Sequence, residues 1–295
     1  MSGFYQAGFS ESLGPNILLT QSDSYLNKRV IGTTGHYDLV FPYPMFAGRN
    51  FSAIGQDIRS LSQSDAVSMT IRSDAFFEKT VSQTEAVWDW FRPFKTHHIT
   101  NLSKPWRDKA ARNAKRYEVR ARRTFTFSEV LNPAFYASDL RRLNSIILNR
   151  KRGTNTSIIA ETILRQQLGL SGARLFRASD SNGIQGLAFF MVTEKRAYAY
   201  MIGATDEARS NNVIYGLYGY ALDSFQDAMD YVDFGGVPGT SDDQSHPIAQ
   251  FKQLWTNETA QSFICGKVFR PDVYKNLSKA HPTSHVNFFP AYTDQ

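Results

Sequence analysis

An acid followed by glycines, with a lysine some way beyond it, is the arrangement in this sequence best suited to chemistry. The stretch runs Tyr231-Val-Asp-Phe-Gly-Gly236, then Val-Pro-Gly and a polar loop, then Phe251-Lys-Gln-Leu-Trp255. A carboxylate can orient or accept a proton and an ammonium can hold developing negative charge, so Asp233 and Lys252 are the first candidates for a site. Val232 and Phe234 alternate with Asp233 as in a strand, which aims the acid away from its apolar neighbours. Gly235, Gly236 and Gly239 let a ligand or another backbone come close. Loops at the carboxyl ends of strands are where α/β proteins place their chemistry. The same letters also read as ordinary turns, because Gly-Gly and Pro-Gly are common turn dipeptides.

The elements around this stretch read as strand, strand, helix, strand, helix, strand. Leu187 to Thr193 and Tyr198 to Ile202 have the character of a hairpin, and a helix is expected over about Asn212 to Met229. In that helix Val213, Ile214, Leu217, Tyr218, Ala221, Leu222, Phe225 and Met229 recur at three- and four-residue spacing, an apolar stripe fit to lie on a sheet. Ser210, Asn211 and Asn212 stand at its start. They either cap it or, with the free N–H groups of its first turn, form a place for a phosphate or carboxylate. Upstream, Tyr37 to Phe41 and Ala66 to Ile71 are strand-like, and Ile54 to Leu61 is helical. Phe135 to Lys151 and Ile158 to Leu168 are amphipathic helices, the second closed by Gly169, with the polar link Arg150 to Thr154 between them.

Charge is concentrated in one segment. Between Lys104 and Arg123 nine basic residues face Asp108 and Glu118, a local charge of +7 in a chain whose total is +6. Lys109, Arg112, Arg116 and Arg120 fall on one helical face, with Ser103 and Pro105 placed to start the helix. Such a run is either a solvated face, a ridge that draws in an anionic donor or acceptor, or the surface of a nucleic-acid binder. Interleaved aromatics are few and no nucleic-acid-binding motif is present.

At 295 residues, 42% of them hydrophobic and 20% charged, the chain is expected to be globular with two domains. No basic-then-apolar leader precedes Leu19, and the apolar run Leu39 to Ala47 is broken by Pro42 and Pro44, so a cytoplasmic protein without a membrane span is expected. Cys265, the single cysteine, reads as strand packing and excludes an internal disulfide. His97 and His98 would point to opposite sides of a strand, and Pro282 separates His281 from His285, so no metal site is expected.

The run Tyr200 to Ala208, the helix after it, Tyr231-Val-Asp-Phe-Gly-Gly236 and Phe251-Lys-Gln-Leu-Trp255 resemble the C-terminal half of the Fem family of aminoacyl (peptidyl) transferases and related acyltransferases of the GNAT superfamily. His98-Ile-Thr-Asn-Leu102 followed by Trp106 to Val119 is similar to that family's strand, basic helix and strand opening the second domain. The resemblance covers roughly residues 96 to 270. It implies an α/β (α+β), GNAT-like fold built as two GNAT-like halves, here residues 1–95 and an acyltransferase domain at 96–295. No internal repeat is visible in the letters. Also implied are a place in cell-envelope or polysaccharide biosynthesis and a reaction cavity faced by the lysine of the Phe-Lys motif, which is Lys252.

The chemistry implied is acyl transfer to an amine of a small-molecule, sugar or peptide acceptor, with no covalent enzyme intermediate. Asp233 would orient or deprotonate the amine, and Lys252 would stabilise the carbonyl oxygen or grip an acidic acceptor. Acyl-CoA is the first donor, lying against Met201, Ile202, Arg209, Ser210, Asn211 and Asn212 where the two GNAT strands splay apart. Tyr200, Tyr215, Phe251, Trp255, Arg112 and Arg116 are the candidate substrate contacts. One departure counts against coenzyme A: the glycine-bearing phosphate loop of GNAT enzymes is replaced by Glu207-Ala-Arg-Ser-Asn-Asn-Val213. An aminoacyl-tRNA donor acting on a cell-wall precursor, as in Fem enzymes, is the alternative, and a non-catalytic RNA or polyanion binder is the reading from another class.

Overall fold

In a computed structural model, the residues described are 3–46, 48–149, 158–239, 241–280 and 289–292. The Arg150 to Thr154 link and the His281 and His285 pair lie outside them. In chain order the elements begin with α1 (Ala7–Ser12), β1 (Asn16–Leu19), β2 (Ser24–Val30), β3 (Tyr37–Val40), α2 (Ile54–Leu61), β4 (Ala66–Arg72) and α3 (Glu78–Ser82). They continue with β5 (Trp90–Asn101), α4 (Trp106–Lys109), α5 (Arg112–Thr124), β6 (Thr126–Glu129), α6 (Ala137–Asn149), α7 (Glu161–Leu168), β7 (Ala173–Asp180), β8 (Gly183–Thr193) and β9 (Arg196–Ala204). The last are α8 (Asp206–Ser210), α9 (Val213–Phe225), β10 (Tyr231–Asp233), α10 (Pro247–Gln253), β11 (Glu258–Val268) and α11 (Pro271–Ala280). Mixed sheet flanked by helices is the fold class expected of the sequence.

Contacts group the chain into two units, one of Met1–Gly8 with Thr96–Thr259 and one of Phe9–Lys95 with Ala260–Gln295. In the second unit the strand order is β1-β2-β3-β4-β11, antiparallel except for the parallel pair β3 and β4. Its core gathers Leu26, Leu39, Ile54, Met69, Ile71 and Cys265. Burial raises the Cys265 thiol well above its ordinary pKa, which leaves it a packing residue without a usable thiolate.

The other unit holds the order β5-β10-β9-β8-β7-β6, antiparallel except where β10 runs parallel to β9. The apolar stripe of α9 is fully buried at Val213, Leu217, Ala221, Leu222 and Phe225, in one cluster with Phe176, Phe190 and Val232. Burial of that size is the main force seating a helix on a sheet. On its other side α9 meets α5 closely because it has no side chain at Gly219. A Cβ there would lie 2.4 Å from Cγ of Glu118.

Here the expected single basic helix divides. Ala110 and Ala111 take extended conformations, so Lys109 ends the one-turn α4 while Arg112 begins α5, and Pro105 is the residue before α4. The ridge is also partly neutralised. Glu118, 1% exposed, is held by Arg107 and Arg122, and both arginines also reach Asp223 on α9, at 3.0 and 2.6 Å. Arg112, Arg116 and Arg120 stay exposed. Among the described residues, no helix is long and apolar enough to cross a membrane.

Helix α6 packs on β9 at Gly203, where a Cβ would meet the α6 backbone, 2.5 Å from N of Asn144 and 2.6 Å from C of Leu143. Gly203→Ala is therefore expected to cost about 1–3 kcal/mol through overpacking against an element that cannot yield locally. A urea titration checks it: a lowered midpoint at constant slope supports this seating of α6, and an unchanged midpoint contradicts it.

Candidate functional site

Three residue pairs fix the site. Strand β10 pairs antiparallel with β5 through Tyr231 and Asn101, Val232 and Thr100, and Asp233 and Ile99. Residues paired across a ladder share a face, and alternate residues along a strand share one too. Asp233 therefore lies on the face of Ile99 and of His97, two residues before it, whereas His98 lies on the opposite face with Thr100 and Val232. The expectation that the two histidines diverge holds, and the divergence delivers His97 to Asp233.

The two side chains are joined, with His97 Nδ1 2.7 Å from Asp233 Oδ2. The other carboxylate oxygen, Oδ1, accepts the N–H of Gly235 at 2.6 Å, in the turn that the left-handed φ of +71° at Gly235 makes available. Asp233 is only 2% exposed. Burial by itself would raise its pKa, but the His97 ring, the Gly235 N–H and the charge of Lys252 together hold it below the ordinary carboxylate value, so it stays ionised.

Lys252 arrives from α10. Its Nζ donates to the carbonyl of Gly236 and lies 3.6 Å from where a Cβ on Gly235 would be, so the ammonium and the acid converge on the same two glycines. Helix α10 starts at Pro247 and is capped by His246, whose Nδ1 accepts from the N–H of Ile248 at 3.0 Å. The loop before it is tied down: Asp242 Oδ2 accepts the backbone N–H of Thr96 at 3.0 Å and its hydroxyl at 2.7 Å.

Beyond Asp233 the chain leaves β9 and keeps to β5. Strand β9 pairs with β10 only at Arg196, Ala197 and Tyr198 and then runs on to Ala204. Phe234 and Gly235 instead bond to His98, at 2.9 and 3.4 Å. The two parallel strands thus part just where the acid stands, with Met201 and Ile202 on the part of β9 beyond the divergence.

The other candidates are placed as follows. Tyr215, Phe251 and Trp255 form one aromatic cluster, with ring centroids of Tyr215 and Phe251 5.0 Å apart and of Tyr215 and Trp255 5.9 Å apart. Tyr117 packs against Tyr215 with tilted rings 5.0 Å apart and carries Arg116 over its ring at 4.9 Å, so the basic helix reaches the aromatic cluster that α10 joins. Burial, and secondarily Tyr117, raises the Tyr215 pKa. Trp255 is fully buried, and its Nε1 has no hydrogen-bond partner among the described residues. Tyr200 stands apart from this cluster, packed edge-on against Phe4 and Phe189.

Of the residues expected to cradle a coenzyme A phosphate, several have polar groups engaged locally. Ser210 Oγ donates to the carbonyl of Asp206 and Asn211 Nδ2 to that of Glu207, both at 3.2 Å, and Arg209 pairs with Asp206 at 3.6 Å. Asn212 precedes α9 in a left-handed conformation and makes no side-chain cap. On β9 the carbonyl of Ile202 accepts Nδ2 of Asn144 at 2.8 Å. Arg209 Nη1, by contrast, is buried without a hydrogen-bond partner among the described residues.

His97 and His98 are the residues the sequence reading left out. His97 keeps 11% of its side chain exposed. His98 is 1% exposed, and neither ring nitrogen has a partner among the described residues. A histidine-histidine pair on a strand beside a glycine-rich turn was a visible signal, but the partner of His97 is 136 positions away.

Against known proteins the chain matches no protein-family model and no curated protein. Its fold does match solved structures. A crystal structure of FemX aligns over 92% of this chain and 93% of its own, with a TM-score of 0.68 and 11% identity. L-PGS from Bacillus licheniformis aligns over 88% and 86%, with 0.61 and 14%. The C-terminal domain of a putative lysylphosphatidylglycerol synthetase from Agrobacterium fabrum aligns over 90% and 88%, with 0.60 and 12%. At these identities what is shared is the fold, and it is the Fem-like fold that the sequence resembles.

The environment of His98 has a measurable consequence. Burial, then Lys252 and His97, lower its pKa below the ordinary 6.5, against the opposite pull of Asp233 and Asp242. The unfolded chain then takes up the proton first as pH falls, so this contribution to stability is complete above 6.5 and declines below it. Asp233 acts in a separate window, its contribution being lost only as pH falls through the carboxylate range below 3.8. Thermal midpoints measured downward from pH 7 are expected to fall less steeply in His98→Phe than in the unaltered protein. Parallel curves would show that the ring is not buried neutral.

Proposed function

We infer that this chain is an N-acyltransferase, which moves an acyl group from an activated ester or thioester to an amine of a small-molecule, sugar or peptide acceptor. The observation that carries the reading is the parting of β9 and β10 at Asp233, with Lys252 brought to the same turn. Parallel strands that part leave room between them for a donor chain, and here they part beside one acid and one ammonium. The Thr96–Thr259 unit is then the half that carries the chemistry, and the Phe9–Lys95 unit a second GNAT-like half. The fold shared with FemX and with lysylphosphatidylglycerol synthetase agrees with a transferase acting on envelope precursors.

In this reading the amine attacks the donor carbonyl, a proton leaves the amine, and negative charge gathers on the carbonyl oxygen. Lys252 serves the oxygen, its ammonium brought to the turn from α10. Asp233 anchors the acid–base work on the amine. Tyr215 and Phe251, backed by the buried Trp255, line the approach, with Arg112 and Arg116 on the exposed face of α5. Tyr200, on the same face as Asp233 by register, takes the acceptor side.

Between donors, the commitment of Ser210, Asn211 and the Ile202 carbonyl to internal hydrogen bonds weighs against acyl-CoA held at Arg209–Asn212. The exposed arginines of α5, leading through Tyr117 to Tyr215 and Phe251, favour an aminoacyl ester on RNA. Both donors belong in the test. Purified protein is incubated with labelled acyl-CoAs or charged tRNA and a panel of amine acceptors. Transfer is expected to fall about 100- to 1,000-fold in Lys252→Ala, the usual effect of removing one oxyanion donor. Ribonuclease sensitivity identifies the RNA donor. If nothing is transferred while RNA binding weakens steeply with salt and depends on Arg112 and Arg116, the chain is a polyanion binder and the transferase reading is wrong.

A further inference from the structure

Asp233 is the obvious base by position and the wrong one by geometry. Both its oxygens are engaged inside the protein, Oδ2 with His97 Nδ1 at 2.7 Å and Oδ1 with the Gly235 N–H at 2.6 Å, and 2% of the residue is exposed. A carboxylate so placed has no direction left in which to meet an amine. The His97 ring does, since part of it remains exposed and its Nε2 makes no hydrogen bond among the described residues. An ionised carboxylate only accepts, so Nδ1 must be the protonated nitrogen of the neutral ring, and the lone pair sits on Nε2.

We propose that His97 Nε2 is the proton acceptor for the attacking amine and that Asp233 is a positioning residue acting through it. The proposal rests on the acyl-transfer reading. As the new C–N bond forms, one proton of the amine passes to Nε2. As the tetrahedral intermediate collapses, the bond from carbon to the donor's oxygen or sulfur breaks, its electron pair leaves with that atom, and the proton on Nε2 returns to it. The ring ends as it began and no other reactant is consumed. The titratable groups around the pair are His98, next along β5, Lys252 on α10, Asp242 in the loop before it, and Tyr198, level with Asp233 on β9.

The experiment measures transfer across pH for the full chain and for His97→Gln, His97→Ala and Asp233→Asn. His97→Gln is expected to lower kcat by about 100- to 10,000-fold, the range for loss of a general base, with KM little changed. Added imidazole should restore part of the rate in His97→Ala. Asp233→Asn, whose amide can offer an N–H to Nδ1 and so move the ring proton to Nε2, should also lower kcat and shift the acidic limb of the profile to lower pH. A separate reading needs no activity: nitrogen-15 spectra of the unaltered protein should show the neutral His97 ring protonated at Nδ1. Transfer that survives in a folded His97→Gln, or a ring protonated at Nε2, overturns the proposal and leaves acyl transfer standing. Failure of the unaltered protein to transfer from either donor class overturns acyl transfer itself, and this role for His97 with it.

Discussion

The register of β10 against β5 is the constraint on which the site depends. It pairs Asp233 with Ile99, and the two-residue alternation of a strand then places His97, and not His98, on the acid's face. A slip of one residue would exchange the two histidines and leave an ionised carboxylate buried without its ring. The register is held from both sides: Val232 and Phe234 enter the apolar cluster under α9, and Asp242 clamps Thr96 just before the histidines. Because leaving a buried carboxylate without its donor is costly, the hydrogen bond between His97 and Asp233 also opposes any alternative register.

The same unit shows how its positive charge is divided between structure and surface. Arg107 and Arg122 converge on Glu118, buried where Gly219 leaves room for it, and both extend to Asp223, so α4, α5 and α9 are joined by one charged knot. Trp106 adds its indole N–H to Asp223 at 2.8 Å. Arg112, Arg116, Arg120 and Arg123 are not drawn into this knot and are exposed. Position on the helix therefore separates two roles that a count of charges merges.

What could be read from the letters was what periodicity and local chemistry carry. The α9 stripe, the β8 and β9 hairpin, α2 and α10 all follow from spacing within one element, and Asp233 stood out because its alternation with Val232 and Phe234 is local. The break between α4 and α5 was hidden, since Ala110 and Ala111 are good helix formers whose extended conformations are set by tertiary contacts, among them Ala111 N–H to the Leu254 carbonyl at 2.8 Å. His97 was hidden for a different reason. Its role exists only through a pairing of strands far apart in sequence, and no local pattern encodes that.

His97 and His98 are one residue type at adjacent positions, and the sheet gives them opposite properties. His97 gains an acid partner and keeps part of its ring in the open; His98 gains burial and no partner. Burial, with Lys252 nearby, disfavours the charged form of the His98 ring and keeps it neutral. Neutrality matters to its neighbours, because a positive charge on His98 would draw on the field of Asp233 and would repel Lys252 from the turn at Gly235 and Gly236. By staying uncharged, His98 leaves the acid to act on His97 and the ammonium to remain where it is held.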